Sequence, residues 1–341
     1  MSNFTPLSEL GEFGLIKLIS EKIELRQKST IKGIGDDAAV IEPSEKQLVV
    51  SSDMLLEGVH FDLTFCPLKH LGYKAVAVNV SDIAAMNAIP TQITVNIALG
   101  ARFTVEAVDE LYEGIRLACE NYKVDLVGGD TTSSRAGLVI SVTAIGEVAK
   151  GEAVLRSGAK VNDLVCITGD LGGAYLGLQL LEREKQAFMA NPEMQPELAG
   201  KDYVIGRQLR PEARMDVIHD MRELGIKPTS MIDISDGLAS ELFHICKQSG
   251  VGATVYKDNL PTDAEMLETA MEFKLDPITC MMNGGEDYEL LFTVPLSDHD
   301  KVKNHPEISI IGKITDASEG INLANKHGQA FPLQAQGWAH F

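Results

Sequence analysis

The sequence predicts a mixed α/β chain of the α+β kind with two domains, and three observations carry that prediction. Short β-branched apolar runs recur along it, longer stretches with helical apolar spacing lie among them, and the two do not alternate strictly enough for a doubly wound sheet. A length of 341 residues with 45% hydrophobic content suffices for a full core and suggests two domains or one large one.

The runs "QLVVSS", "QITVNIAL", "GLVISVTAIGEV", "DLVCITG", "TSMIDIS", "GATVY" and "ELLFTV" read as strands, several bounded by turn residues. "TVEAVDELYEGIRLACENY" sets Val108, Leu111, Tyr112, Ile115 and Cys119 on one helical face. "LKHLGYKAVAVNVSDIAAMNA" is Val-rich in its middle, but its length and the Leu71, Ala75, Val78, Asp82, Met86 spacing favour a helix, with Asp82 facing whatever Val78 and Met86 face. The polar "EREKQAFMANPEMQPELAGKD" reads as a surface excursion. A boundary at Lys150 and Gly151 divides the chain into 1–150 and 151–341, since one group of strands closes with "ISVTAIGEV" and another opens with "DLVCITG".

Charge and cysteine usage exclude several classes. A net charge of −19 with no basic run or stripe argues against nucleic acid or an anionic membrane as partner. An acidic protein that binds a polyphosphate needs cations between the two. The five cysteines (Cys66, Cys119, Cys166, Cys246, Cys280) have no CxxC spacing and read as reduced core residues, not disulfides or a zinc site. The first twenty residues carry Glu9, Glu12 and Lys17 within the apolar stretch, unlike a signal peptide, and no uncharged run approaches the roughly 18 residues of a membrane span. A cytoplasmic protein is expected.

One pattern repeats. Apolar runs end in small residues and then Asp at "LVVSSD" (Asp53), "AVNVSD" (Asp82), "DLVGGD" (Asp130), "VCITGD" (Asp170) and "MIDISD" (Asp236), beside "GIGDDAAVI" with Asp36 and Asp37. Adjacent unit charges about 4 Å apart repel by roughly 4 kcal/mol at an effective dielectric near 20, so the crowding calls for positive charge. Small residues ahead of an acid allow close backbone approach to a ligand. Asp37, Asp53, Asp82, Asp130, Asp233 and Asp236 suit Mg²⁺, which is held by a few carboxylates plus substrate phosphates. No histidine cluster competes. Taken one at a time, each acid is equally a turn or N-cap residue.

These motifs resemble the thiamine-monophosphate kinases, a family related to aminoimidazole ribonucleotide synthetase and selenophosphate synthetase. The likeness runs from "GEFGLI" through "GIGDDAAV", "SSDMLLEGVHF", "YKAVAVNVSDIAAM", "VGGDTT", "RSGAK", "DISDGL" and "GGEDYELLFT" to "GWAHF", over essentially the whole chain. It implies a two-domain aminoimidazole ribonucleotide synthetase-like fold, with an N-terminal ATP-binding domain that pairs into a homodimer and a C-terminal α/β domain closing the site. It implies Mg²⁺ ligands at Asp37, Ser51, Ser52, Asp53, Asp82, Asp130 and Asp233, with Asp236 completing the cluster. Tyr112, Gly129, Asp130, Arg156 and Ser235 are then nucleotide contacts, and His60, Glu286 and Trp338 contact the thiamine phosphate. Asp130, Asp233, Asp236 and Arg156 are the residues expected to act in catalysis.

The chemistry so implied is direct in-line transfer of the γ-phosphoryl group of ATP to thiamine monophosphate, the last step of thiamine diphosphate biosynthesis. A phosphate monoester is largely ionised at neutral pH and needs no general base, so carboxylates acting through metals outnumber bases in the set. Arg156 offers a permanent planar cation to phosphate, or is a surface residue of the "RSGAK" turn. Trp338 offers a π face to a cationic thiazolium, or is a packing anchor, and Glu286 offers charge or a hydrogen-bond acceptor. "TGDLGGA" reads first as a tight strand-to-helix turn and second as a ligand contact, because it lacks the Walker spacing and its Lys. Asp36 orients its turn in this reading. A non-catalytic metal or nucleotide module is the rival from another class.

Overall fold

The computed structural model describes residues 5, 7–32, 34, 40–43 and 45–334. The chain divides into two compact units, Met1–Ile83 with Ala88–Ala153, and Ala84–Asn87 with Val154–Phe341.

The first unit contains α1 (Leu7–Ser20), the antiparallel pair β1 (Thr30–Lys32) and β2 (Val40–Ile41), then β3 (Gln47–Leu56), α2 (Leu68–Ala85), β4 (Ile89–Leu99), α3 (Val105–Tyr122), β5 (Asp125–Ser133) and β6 (Val139–Val148). Strands β3, β6, β4 and β5 form a sheet in that order, antiparallel except for the β4–β5 pair. Strand alternation decides its two faces. Ile140, Val142 and Ala144 of β6 and Ile93, Val95 and Ile97 of β4 are buried, while Leu48, Val50, Ser52 and Met54 of β3 lie on the other, open face.

Helix α2 covers the buried face, so closely that a Cβ on Gly146 of β6 would lie 2.4 Å from Cγ2 of Ile83. Leu71, Val76, Val80 and Ile83 are inaccessible on all sides of the helix, which explains why its sequence is apolar beyond one stripe. Helix α3 packs on α2 backbone to backbone. A Cβ on Gly72 would sit 2.0 Å from the Leu111 carbonyl oxygen, and one on Gly114 would sit 1.8 Å from that of Lys69. Thr104 caps α3 by accepting from Ala107 N, and Lys123 ends it in the left-handed conformation.

The second unit contains β7 (Leu164–Thr168), α4 (Gly173–Ala190), α5 (Asp202–Leu209), α6 (Met215–Glu223), β8 (Ser230–Asp233), α7 (Leu238–Ser249), β9 (Gly252–Tyr256), α8 (Ala264–Glu272), α9 (Pro277–Asn283), β10 (Leu290–Val294), α10 (His299–Lys303), β11 (Ile308–Thr315), β12 (Ile321–Ala324) and β13 (Ala330–Pro332). Among the described residues its sheet runs β13-β12-β9-β11-β7-β10-β8, with β12–β9 the parallel pair. Every residue of β7, β8 and β10 is buried; β7 and β10 accordingly read as nearly continuous apolar runs, while β8 also buries Ser230 and Asp233. A core of Ile167, Leu176, Leu180, Ile234, Leu242, Ile245 and Met281 joins this sheet to its helices.

All seven runs read as strands fall in strands, and both helical readings hold. The segment from Glu182 differs from its reading: its first half continues α4 to Ala190, and only the remainder is an exposed connection. All five cysteines are buried, as expected of core thiols, and burial raises Cys119 and Cys246 to about 12 and Cys280 to about 11. Among the described residues no helix is long and apolar enough to cross a membrane.

Gly114→Ala is expected to lower stability by about 1–3 kcal/mol, because the added methyl meets backbone that has no rotamer to yield. Thermal or urea unfolding reads this directly, and an unchanged midpoint would show that α2 and α3 can separate without loss.

Candidate functional site

In the first unit, strand alternation brings Ser51 and Asp53 of β3 to the face under α2, where they meet Asn79 and Asp82. Ser51 Oγ donates to the Asp82 carboxylate. Asn79 Oδ1 accepts from the Asp53 backbone N at 3.0 Å, and its amide nitrogen donates to Ala75 O at 3.0 Å, so the helix holds the strand at this point. Burial, the charge of Asp82 and a hydrogen bond to it together push Asp53 up from 3.8 to about 6.

Ser52 does not share that environment. It points to the open face, where its Oγ lies 3.0 Å from Thr143 Oγ1 and 3.1 Å from Val142 O. The register sets Gly129 level with Val95 and Asp130 level with Asn96, one step from the row of Asp53, Val142 and Val95. Asp130 therefore lies on the open face as well, exposed, with Oδ1 accepting from Thr131 N at 2.9 Å. Gly129 is required by packing, since a Cβ there would sit 1.8 Å from Val95 O.

Tyr112 is buried in α3 at 4% exposure, and burial raises its phenol to about 12. His60 follows β3, and its Nδ1 accepts from Leu56 N at 3.1 Å, which places the ring proton on Nε2. Asp36, Asp37 and Trp338 lie outside the described residues.

The second unit joins two of the quoted motifs directly. The β8–β10 ladder pairs Asp233 with Leu290, and its bonds continue beyond the strand ends. Ile234 N donates to Glu289 O at 2.7 Å, Tyr288 N to Ile234 O at 2.9 Å and Glu286 N to Ser235 O at 2.7 Å. "DISDG" and "GGEDYE" thus lie side by side, carrying Asp233, Ser235 and Asp236 on one segment and Glu286 on the other. Close approach requires glycine at 285, where a Cβ would sit 2.5 Å from Ser235 O. Asp233 is buried at 4% exposure, whereas Ser235 and Asp236 are half-buried and the Arg156 side chain is exposed.

Several residues in this region were not singled out from sequence. Glu241 Oε1 accepts from Asp236 N at 3.2 Å, and burial with the Asp236 charge raises Glu241 to about 7, opposed by Arg156. Its signal was a carboxylate on the apolar stripe of Leu238, Leu242 and Ile245. Asp287 and Glu289 sit within the quoted "GGEDYE", each 1% exposed. Asp287 accepts from Gly172 N at 2.7 Å and Ala174 N at 3.3 Å, filling the N-terminus of α4. The "TGDLGGA" segment is therefore a turn with Gly169 and Gly172 at φ 51° and 83°, its helix-start donors taken by the chain itself. Glu289 bridges Arg207 at 2.7 Å and Arg214 at 2.8 Å, and Arg214 continues to Asp216 and Glu307 at 3.0 Å each. Nothing in "GRQLRPEAR" announced those arginines.

Among the described residues no three acidic, histidine or cysteine side chains converge as a metal-holding group. Two carboxylates and a hydroxyl at Asp53, Asp82 and Ser51 do converge, all hard oxygen donors. That set is too small for a complete protein cage and fits a cation that takes its remaining ligands from substrate phosphates and water, as Mg²⁺ does.

Two family models match the chain, AIR synthase related protein N-terminal domain over residues 35–148 and AIR synthase related protein C-terminal domain over 160–322. The two-unit fold is thus that of an AIR synthase related protein. Curated thiamine-monophosphate kinases from Aquifex aeolicus and Bacillus subtilis are each 36% identical to the chain, covering 98% and 97% of it and 99% and 100% of the relatives. A solved structure of AaThiL complexed with AMPPCP and TMP matches with TM-score 0.74 and 36% identity over 100% of both chains. The chain belongs to the thiamine-monophosphate kinase family.

Asp53→Asn is expected to stabilise the metal-free protein at pH 7.5 by about 1–2 kcal/mol, the shift being discounted for partial solvation. The sign follows from the raised carboxyl: a group at 3.8 when unfolded and about 6 when folded makes stability fall as pH rises between those values. Unfolding in chelator from pH 4 to 8 checks it, and parent and variant curves that stay parallel would remove the like-charge strain.

Proposed function

We propose that the chain transfers the γ-phosphoryl group of ATP to thiamine monophosphate, forming thiamine diphosphate and ADP as the last step of thiamine diphosphate biosynthesis. The observation that carries this reading is the full-length likeness to a chain complexed with AMPPCP and TMP. The crowded acid pair under α2 and the paired 233–236 and 284–289 segments supply the chemistry such a reaction needs.

Mg²⁺, when bound, would neutralise phosphate charge that otherwise keeps donor and acceptor apart. Asp53, Asp82 and Ser51 would hold one such ion; Ser52 and Asp130, on the opposite, open sheet face, would serve another, and Asp37, Asp233 and Asp236 are proposed as ligands of further ions. The acceptor phosphate is already ionised at neutral pH, so the residues need to position it and need not deprotonate it. Arg156 presents its exposed guanidinium to phosphate oxygens. Gly129, Asp130 and Ser235 contact the nucleotide, and Tyr112 adds the little surface its burial leaves. His60, Glu286 and Trp338 receive the thiamine half, where a carboxylate and a π face complement a cationic heterocycle.

We also propose a homodimer formed through the open face of the four-stranded sheet. Leu48, Val50 and Met54 are 49%, 63% and 54% exposed there, an apolar row that a second copy would cover.

The reading is tested by mixing the protein with thiamine monophosphate, ATP and Mg²⁺ and weighing the product. ADP and thiamine diphosphate should appear only when all three are present, whereas binding without turnover would indicate a non-catalytic module. Asp53→Asn and Asp130→Asn should each lower turnover by orders of magnitude with the fold retained, and near-normal rates in either would remove that residue from the metal set. Val50→Asp should shift the protein to monomer in sedimentation, and an unchanged mass would exclude the open face as the dimer contact.

A further inference from the structure

We propose that Gln208 is a positioning residue for acceptor recognition, its side-chain amide holding the Glu286 carboxylate in the orientation that receives the organic half of the acceptor. The proposal rests on the reading of Glu286 as a thiamine contact.

Glu286 stands in a backbone built at some expense. It has φ 67° and Tyr288 has φ 53°, both left-handed without being glycine, a conformation that costs about 1 kcal/mol or more per residue. The hydrogen bonds from Glu286 N to Ser235 O and Tyr288 N to Ile234 O, at 2.7 and 2.9 Å, hold that backbone in place. A Glu carboxylate is nevertheless three rotatable bonds away from its backbone and needs its own anchor to keep one orientation. Gln208 supplies it: Nε2 donates to Glu286 Oε2 at 2.7 Å from a side chain only 4% exposed.

The type of donor matters. A neutral amide fixes the carboxylate oxygen without cancelling its charge, which a cationic ligand requires. The preceding residue, Arg207, directs its charge elsewhere, to Glu289 at 2.7 Å and to the Asp170 and Asp287 carbonyl oxygens at 3.0 and 3.3 Å. Consecutive residues of α5 thus divide the work, one bracing the loop backbone and the other aiming its carboxylate.

The test measures kcat and both KM values for Gln208→Met, Gln208→Glu, Glu286→Ala and the double variant Gln208→Met with Glu286→Ala. Gln208→Met keeps the shape and loses the donor, and should raise KM for thiamine monophosphate about tenfold, the size of one hydrogen bond to a charged group, with KM for ATP within about twofold. Gln208→Glu can donate only when protonated, so its KM defect for the acceptor should grow from pH 6 to 8 within a single folded protein, which a packing defect would not do. In the double variant the Met substitution should add nothing to Glu286→Ala. Equal rises in both KM values, or a Met effect that persists in full without Glu286, would overturn the proposal. If Glu286→Ala raises the acceptor KM and Gln208→Met does not, this inference alone falls; if Glu286→Ala leaves it unchanged, the reading of Glu286 falls and takes this one with it.

Discussion

Two carboxylates pressed together under a helix are the constraint around which the first unit is organised. Asp53 and Asp82 lie together under α2, where burial, the neighbouring charge and a hydrogen bond between them raise Asp53 to about 6. Helix α2 is held by its apolar contacts on all sides, by the backbone-level packing of Gly72 and Gly114 against α3 and by Asn79 reaching the Asp53 amide. The sheet face beneath is equally rigid, with Val142, Val95 and Ile93 at 1% exposure or less. A well-packed scaffold of this kind stores the electrostatic strain that a cation would relieve.

The second unit also buries acids and raises them, Asp287 and Glu241 to about 7, but surrounds two of them with partners. Asp287 and Glu289 are each 1% exposed, and each finds partners within the chain, helix-start amides and Arg207 for one and Arg207 and Arg214 for the other. Removing one partner from such a network would leave a buried charge and cost about 3–5 kcal/mol. These groups therefore shape the loop, beside which Glu286 and Asp236 are less buried. Burial with internal compensation separates structural acids from functional ones where residue type alone cannot.

The paired loops also explain why two motifs so far apart in sequence belong to one site. Extending the β8–β10 ladder past Asp233 lays residues 234–235 against 286–289 by backbone bonds, which do not depend on side-chain identity. Side chains then enter only where a glycine is needed for closeness, at Gly285, and where a carboxylate must be aimed.

Much of this architecture was legible in the residues. Seven strands announced themselves as short β-branched runs bounded by turns, and α2 and α3 by apolar spacing that persists over five turns, whereas β5, rich in Gly and Asp, and β11, β12 and β13 were not read from sequence. Asp53, Asp82, Asp130 and Asp236 were legible because each follows small residues at the end of an apolar run, whereas Asp233 follows Ile232 directly. The sequence by itself determined these elements and this supply of carboxylates, since periodicity and residue type act over a few neighbouring positions. Only the tertiary structure decided which acids meet. One step of strand register sends Ser51 and Asp53 under α2 and Ser52 to the opposite face, and Gln208 reaches Glu286 across 78 residues. Hydrogen bonds between such distant positions depend on how elements pack, and packing is a property of the whole chain that no local pattern encodes.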